Sequence, residues 1–134
     1  MIADCYMPSV AMKQGLVLFA HGARDPRWAE PFERLRARIA ARAPALEVRL
    51  AYLEIMRPDL PAAVADLIRA GAANVRIVPI FFGQGGHVRE DLPAMVAKLE
   101  QDHPGVAIRC AAPAGEDPAV IDALARYCLD GLGA

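Results

Sequence analysis

Gly15-Leu16-Val17-Leu18-Phe19-Ala20 is an apolar run without a charge, and His21-Gly22 follows it directly. A short uncharged run of this kind suits a strand buried on both faces, the mark of a parallel sheet covered by helices. Outward from it the chain alternates. Trp28 to Arg42 carries Phe32, Leu35 and Ile39 at helical spacing with arginines between them. Leu46 to Leu53 reads as a second strand, with Leu46, Val48, Leu50 and Tyr52 alternating against Glu47, Arg49 and Ala51. Pro58 to Ala70 predicts a helix begun by prolines in first-turn positions and stopped by Gly71. Asn74 to Phe82 predicts the third strand, Glu90 to Asp102 the third helix, Val106 to Ala111 a weaker fourth strand, and Pro118 to Leu129 the fourth helix. Four βα units in series imply a parallel sheet wrapped by helices through right-handed crossovers.

Bulk properties narrow the field. A chain of 134 residues has the length of one domain. Residues 15–134 read as that domain, and 1–14 as an irregular, partly disordered lead-in. Hydrophobic residues make up 55%, but no apolar run reaches the roughly 18–20 residues of a membrane span. The net charge of −1 excludes the strong basic excess of a nucleic-acid surface. Arginines between Arg34 and Arg42 read as a solvated helix face. Cys5, Cys110 and Cys128 form neither a zinc spacing nor a disulfide framework, which fits reduced thiols in a cytoplasm. No basic segment followed by an apolar one marks a signal peptide.

In an open parallel sheet the ligand site lies beyond the carboxyl ends of the strands. Two of the three histidines fall on that rim, His21 after the first strand and His87 after the third, and Glu54 ends the second. A neutral imidazole on a rim can bind a metal or move a proton near neutral pH; it can also simply cap the strand. His87 follows Gly83, Gly85 and Gly86, where the backbone can take unusual dihedrals, approach a ligand and cradle an anion at a helix start. The spacing is neither GxGxxG nor a P-loop. Glu54 can complete a two-histidine, one-carboxylate set or accept protons, or else pair with Arg57, Arg24 or Arg89. Arg24 and Arg89 suit carboxylate recognition, and Glu90 and Asp91 suit a first helical turn. His103 reads as structural at a helix end, and Trp28, Phe32 and Met56 as packing.

The segments His21-Gly-Ala-Arg-Asp-Pro26, Tyr52-Leu-Glu54 with Pro58 after it, and Val78-Pro-Ile-Phe-Phe-Gly-Gln-Gly-Gly-His-Val-Arg-Glu-Asp-Leu-Pro93 resemble the small CbiX-type class II chelatases. These are sirohydrochlorin cobalto- and ferrochelatases of the cobalamin and siroheme pathways. The resemblance runs from about Gly15 to the C-terminus. It implies a three-layer chelatase-like α/β fold of flavodoxin-like topology, a four-stranded parallel sheet with helices on both sides. It implies that His21 and His87 bind the metal and take part in catalysis, with Glu54 as a third catalytic group. Ala23 stands where the family often has Ser, so a hydroxyl is absent there. Longer members resemble two such domains fused, which implies a homodimer here, its halves enclosing the tetrapyrrole.

The chemistry expected is the insertion of Co²⁺, Fe²⁺ or Ni²⁺, as substrate, into a macrocycle that gives up two inner N–H protons. No permanent cofactor is required. His21 and His87 hold the cation, a histidine or Glu54 accepts protons, and Arg24, Arg89 and the amides of Gly85 and Gly86 hold peripheral carboxylates. A non-catalytic cobalt or nickel carrier would use the same histidines. A histidine-phosphatase reading fails because Ala20, not Arg, precedes His21.

Overall fold

The computed structural model describes residues 13–83 and 85–133. Strand β1 (Lys13–Ala20) leads through a 3-10 turn (Pro26–Ala29) into helix α1 (Glu30–Arg42). Strand β2 (Glu47–Tyr52), helix α2 (Leu60–Arg69), strand β3 (Ala72–Pro79) and helix α3 (Gly86–Asp102) follow. Strand β4 (Ala107–Cys110), a second 3-10 turn (Ala114–Glu116) and helix α4 (Pro118–Leu129) complete the order. Of the expected lead-in, residues 1–12 lie outside the described residues, as does Cys5, and Lys13 and Gln14 already belong to β1.

All strand pairs are parallel, in the order β2-β1-β3-β4. The charge-free run read as a doubly buried strand is central: Val17, Leu18, Phe19 and Ala20 are at most 2% exposed. Its alternation divides the core. Val17 and Phe19 join Leu60, Val64, Leu67, Leu92 and Leu99 on the face that α2 and α3 cover. Leu18 and Ala20 join Leu50 and Tyr52 on the opposite face, where Phe32, Leu35 and Ile39 of α1 pack. Helices thus lie on both sides of a four-stranded parallel sheet, as expected. Helix α4 has no buried residue.

Several boundaries move for local reasons. Helix α2 begins at Leu60, not Pro58, because the Asp59 carboxylate accepts from the Ala62 amide at 2.9 Å and caps it there. Helix α1 likewise begins later than Trp28, after a 3-10 turn capped by Asp25. Strand β3 starts at Ala72 because β1 is already extended at Lys13 to pair with it, and it ends at Pro79 opposite Phe19. Helix α3 starts at Gly86, four residues before Glu90. Gly86, about 1 kcal/mol worse than Ala in a helix, hides that start from propensity, yet the Arg89 amide bonds to the Gly85 carbonyl at 3.0 Å. Gly83 and Gly85 do not adopt left-handed backbone, so the expected unusual dihedrals are absent there.

Arg49 on β2 bonds Asp66 of α2 at 2.6 Å and Glu47 at 3.1 Å. The guanidinium hydrogen bond, ahead of its charge, holds the Asp66 carboxyl below the usual carboxylate range. A carboxyl depressed in the folded state contributes stability above its unfolded value of about 3.9 and loses it as pH falls through the folded value. Asp66→Asn is therefore expected to lower stability at pH 7, with the deficit shrinking as acid protonates the carboxyl in the unfolded and then in the folded state. Urea unfolding at pH 7 and at a series of lower pH values checks this; a deficit that does not change with pH would remove the ion pair as the cause.

Candidate active site

The carboxyl ends of β1, β2 and β3 bring the predicted groups to one rim through backbone bonds. Beyond the regular ladder, the Leu53 amide bonds to the Ala20 carbonyl at 2.8 Å and the Glu54 amide to the His21 carbonyl at 3.0 Å. Gly22 makes this approach possible. Its φ is +98°, and a Cβ there would stand 2.0 Å from the Glu54 carbonyl oxygen. His21 and Glu54, thirty-odd residues apart in sequence, are thereby held side by side at backbone level.

The exposed His21 ring lies on Phe81, with centroids 4.3 Å apart and planes at 31°. Phe81 is 6% exposed and is seated on Phe19, 5.8 Å away. The imidazole thus has an apolar floor rooted in the core and an open edge. Across β3 the chain places Gly85 as the N-cap of α3, with Gly86, His87 and Arg89 in its first turn. Among the described residues nothing lies within 4 Å of a Cβ built at Gly83 or Gly85. The first N–H groups of a helix have no partner within it, and they favour anions such as carboxylates.

Among the described residues, Glu54 forms none of the ion pairs with Arg24, Arg57 or Arg89 that its neighbours suggested. Those arginines are exposed and unpaired within the same residues, available to a ligand. Asp25 is different. It caps the 3-10 turn and grips Arg27 through bonds of 2.7–3.2 Å, and that guanidinium holds its carboxyl below the ordinary range. Among the described residues no three His, Cys, Asp or Glu side chains converge as a metal group.

His103 caps the far end of α3, its amide on the Leu99 carbonyl at 3.0 Å, as its sequence position suggested. Trp28 packs on Phe32 and Met56 joins the α1-face core, as expected. Reading the sequence assigned no individual role to Ile55 or Phe82. Ile55 has φ +69° and is 61% exposed, and Phe82 is 70% exposed. A left-handed β-branched residue costs on the order of 1–3 kcal/mol and is found where function demands it. The inward–outward alternation of Phe81 and Phe82 past the end of β3 was the sequence signal for the second. For Ile55 there was none.

The sequence profile of the CbiX family matches residues 15–129. A sirohydrochlorin cobaltochelatase of Methanocaldococcus jannaschii is 31% identical over 67% of this chain and 63% of its own length. That of Methanosarcina acetivorans is 25% identical over 90% of this chain and 98% of its own. The chain thus spans under two thirds of the first relative and nearly all of the second. Among solved structures, a putative cobalamin biosynthesis CbiX protein of Marinobacter aquaeolei superposes with a TM-score of 0.77 at 34% identity, covering 89% of this chain and 97% of that one. The sirohydrochlorin chelatase SirB of Bacillus subtilis subspecies spizizenii, in complex with cobalt, shares the fold with a TM-score of 0.75 at 22% identity, over 90% of this chain and 51% of that one.

Proposed function

Because this chain belongs to the CbiX family, we propose that it inserts a divalent metal, Co²⁺, Fe²⁺ or Ni²⁺, into sirohydrochlorin. The observation that carries the reading is His21, held open-edged on Phe81 and tied through backbone to Glu54. Chelation needs a base for two pyrrolic protons and a donor that hands over its cation. A neutral imidazole is a ligand weak enough to release, and a carboxylate beside it accepts a proton. In this reading His21 and His87 carry the incoming metal, and Glu54 takes protons as the ring nitrogens replace them. Arg24, Arg89 and the amides of Gly85 and Gly86 hold the peripheral carboxylates.

Residues 15–134 act here as one domain, and a second copy supplies the other wall. A single rim covers one face of a wide flat ring, while burying most of a ligand needs walls on both sides. The free thiols of Cys110 and Cys128 support a cytoplasmic setting.

The test is anaerobic incubation of purified protein with sirohydrochlorin and each metal in turn, followed by absorbance. Insertion well above the spontaneous rate is expected, with a ranking among the metals. Metal binding together with insertion at the spontaneous rate only would turn the reading toward a carrier.

A further inference from the structure

The loop after β2 is closed twice over. At its base the Tyr52 amide bonds to the Pro58 carbonyl at 2.9 Å, and at its tip the Met56 amide bonds to the Glu54 carbonyl at 2.7 Å. A hydrogen bond that skips one residue, about a centre with φ +69°, is the strained form of γ-turn, and Ile55 is its centre. Glycine takes a positive φ freely, and asparagine or aspartate with little strain; a β-branched residue is among the least suited. Its neighbours hold it there. The Glu54 amide is bonded to the His21 carbonyl, and Met56 packs into the core on the α1 face. What the strain achieves is an apolar side chain standing exposed on the rim.

Phe82 does the same beyond β3. The ladder continues past Pro79, the Ile80 amide bonding to the Phe19 carbonyl at 2.7 Å. Phe81 then turns into the core, and Phe82, one residue on, is exposed. Its backbone is fixed from behind. The Gly115 amide bonds to the Phe81 carbonyl at 2.8 Å, and a Cβ on Gly115 would stand 2.1 Å from the Phe82 carbonyl oxygen. An aromatic ring left in water on so firmly seated a segment offers apolar surface with little backbone freedom to lose on binding.

The strand order relates the two. β2 and β3 are the neighbours of β1, so the loops that carry Ile55 and Phe82 leave the sheet on either side of the one that carries His21. Adjacent strands lie about 4.8 Å apart, which puts the two outer strands roughly 10 Å from each other. A tetrapyrrole is a flat ring with nitrogens at its centre and pyrrole carbons around them. A cation handed over from the middle of this row meets the nitrogens when the ring lies across the row, and apolar groups on either side then meet pyrrole faces. We infer that Ile55 and Phe82 receive one face of the macrocycle and centre its nitrogens over His21, an assignment that rests on the chelatase reading above. Neither side chain can donate to a metal or accept a proton. The labour is thus divided: the histidines take the cation, and this pair takes the ring, whichever metal is used.

Ring binding is measured without metal, by titrating sirohydrochlorin against the full chain and following absorbance, for the parent, Ile55→Gly and Phe82→Ala. Each substitution is expected to weaken ring binding about 3–10-fold, the loss for an apolar side chain covered on one side. Ile55→Val and Phe82→Leu keep the apolar surface and should recover most of the affinity. Co²⁺ affinity in the absence of ring should match the parent in all four variants. Ile55→Gly should also melt no lower than the parent, because it relieves the positive φ; a lower melt would assign Ile55 to the fold and count against the inference. Parental ring affinity in Ile55→Gly and Phe82→Ala, with a parent that binds the ring and inserts metal, overturns the inference and leaves the chelatase reading standing. A parent that neither binds the ring nor inserts metal overturns both. Parental ring affinity with a changed mass by light scattering would give these side chains to a second copy, and overturns the inference as well.

Discussion

His21→Ala is expected to lower metal insertion by about 10²–10⁴-fold, the range lost when a positioned proton acceptor or metal donor is removed. The fold should survive. His21 is exposed, its side chain bonds to no other described residue, and the bonds that fix its position are those of its backbone to Glu54. A thermal melt close to that of the parent is therefore expected alongside the loss of rate. Varying the metal adds a finer reading. If His21 chiefly delivers the cation, high metal concentration restores much of the rate; if it chiefly takes a proton, the loss persists at saturation. A parental rate in the folded variant would remove His21 from the chemistry.

Gly22→Ala should damage both stability and activity, although it adds one methyl group. The new Cβ meets the Glu54 carbonyl oxygen at 2.0 Å, and φ at +98° already disfavours any side chain. Strain at such a position costs about 1–3 kcal/mol, and parting the loops to relieve it forfeits the Glu54–His21 backbone bond, about 0.5–1.5 kcal/mol net. The expected loss is about 2–4 kcal/mol, or on the order of 10 °C in Tm for a domain of this size. Gly85→Ala is the control, because its Cβ would meet nothing; as an N-cap change it should cost about 1 kcal/mol or less. Equal melts for the two variants would mean that the approach of the loops does not matter. At temperatures where Gly22→Ala is folded, insertion should still fall, since His21 and Glu54 can no longer keep their spacing.

The separation of what could be read from the chain follows from the range of the forces. Strand and helix identities rest on local periodicity, and four βα units, the parallel sheet and the rim at its carboxyl ends were all legible in the run from Gly15 to Ala20 and in the repeats that follow. His21, Glu54, Gly85 and His87 could be assigned to that rim because parallel topology leaves the ends of successive strands nowhere else to go. The start of α3 was not legible, since glycine weakens the local signal while Val88 packs into the core from the turn it occupies.

What the tertiary structure alone decided is contact between distant segments. Nothing near Gly22 in the sequence announces the Glu54 carbonyl that requires it to lack a side chain. Nothing near Phe81 announces that its ring carries His21 on one side and its carbonyl anchors the root of α4. Helix α4 itself was correctly bounded from Pro118 to Leu129, but its sequence does not tell what its apolar stripe packs against. Amphipathic spacing records that a face must be covered; whether the cover lies in the same chain depends on where the 3-10 turn at Ala114–Glu116 points the helix, and packing against Phe82 sets that direction.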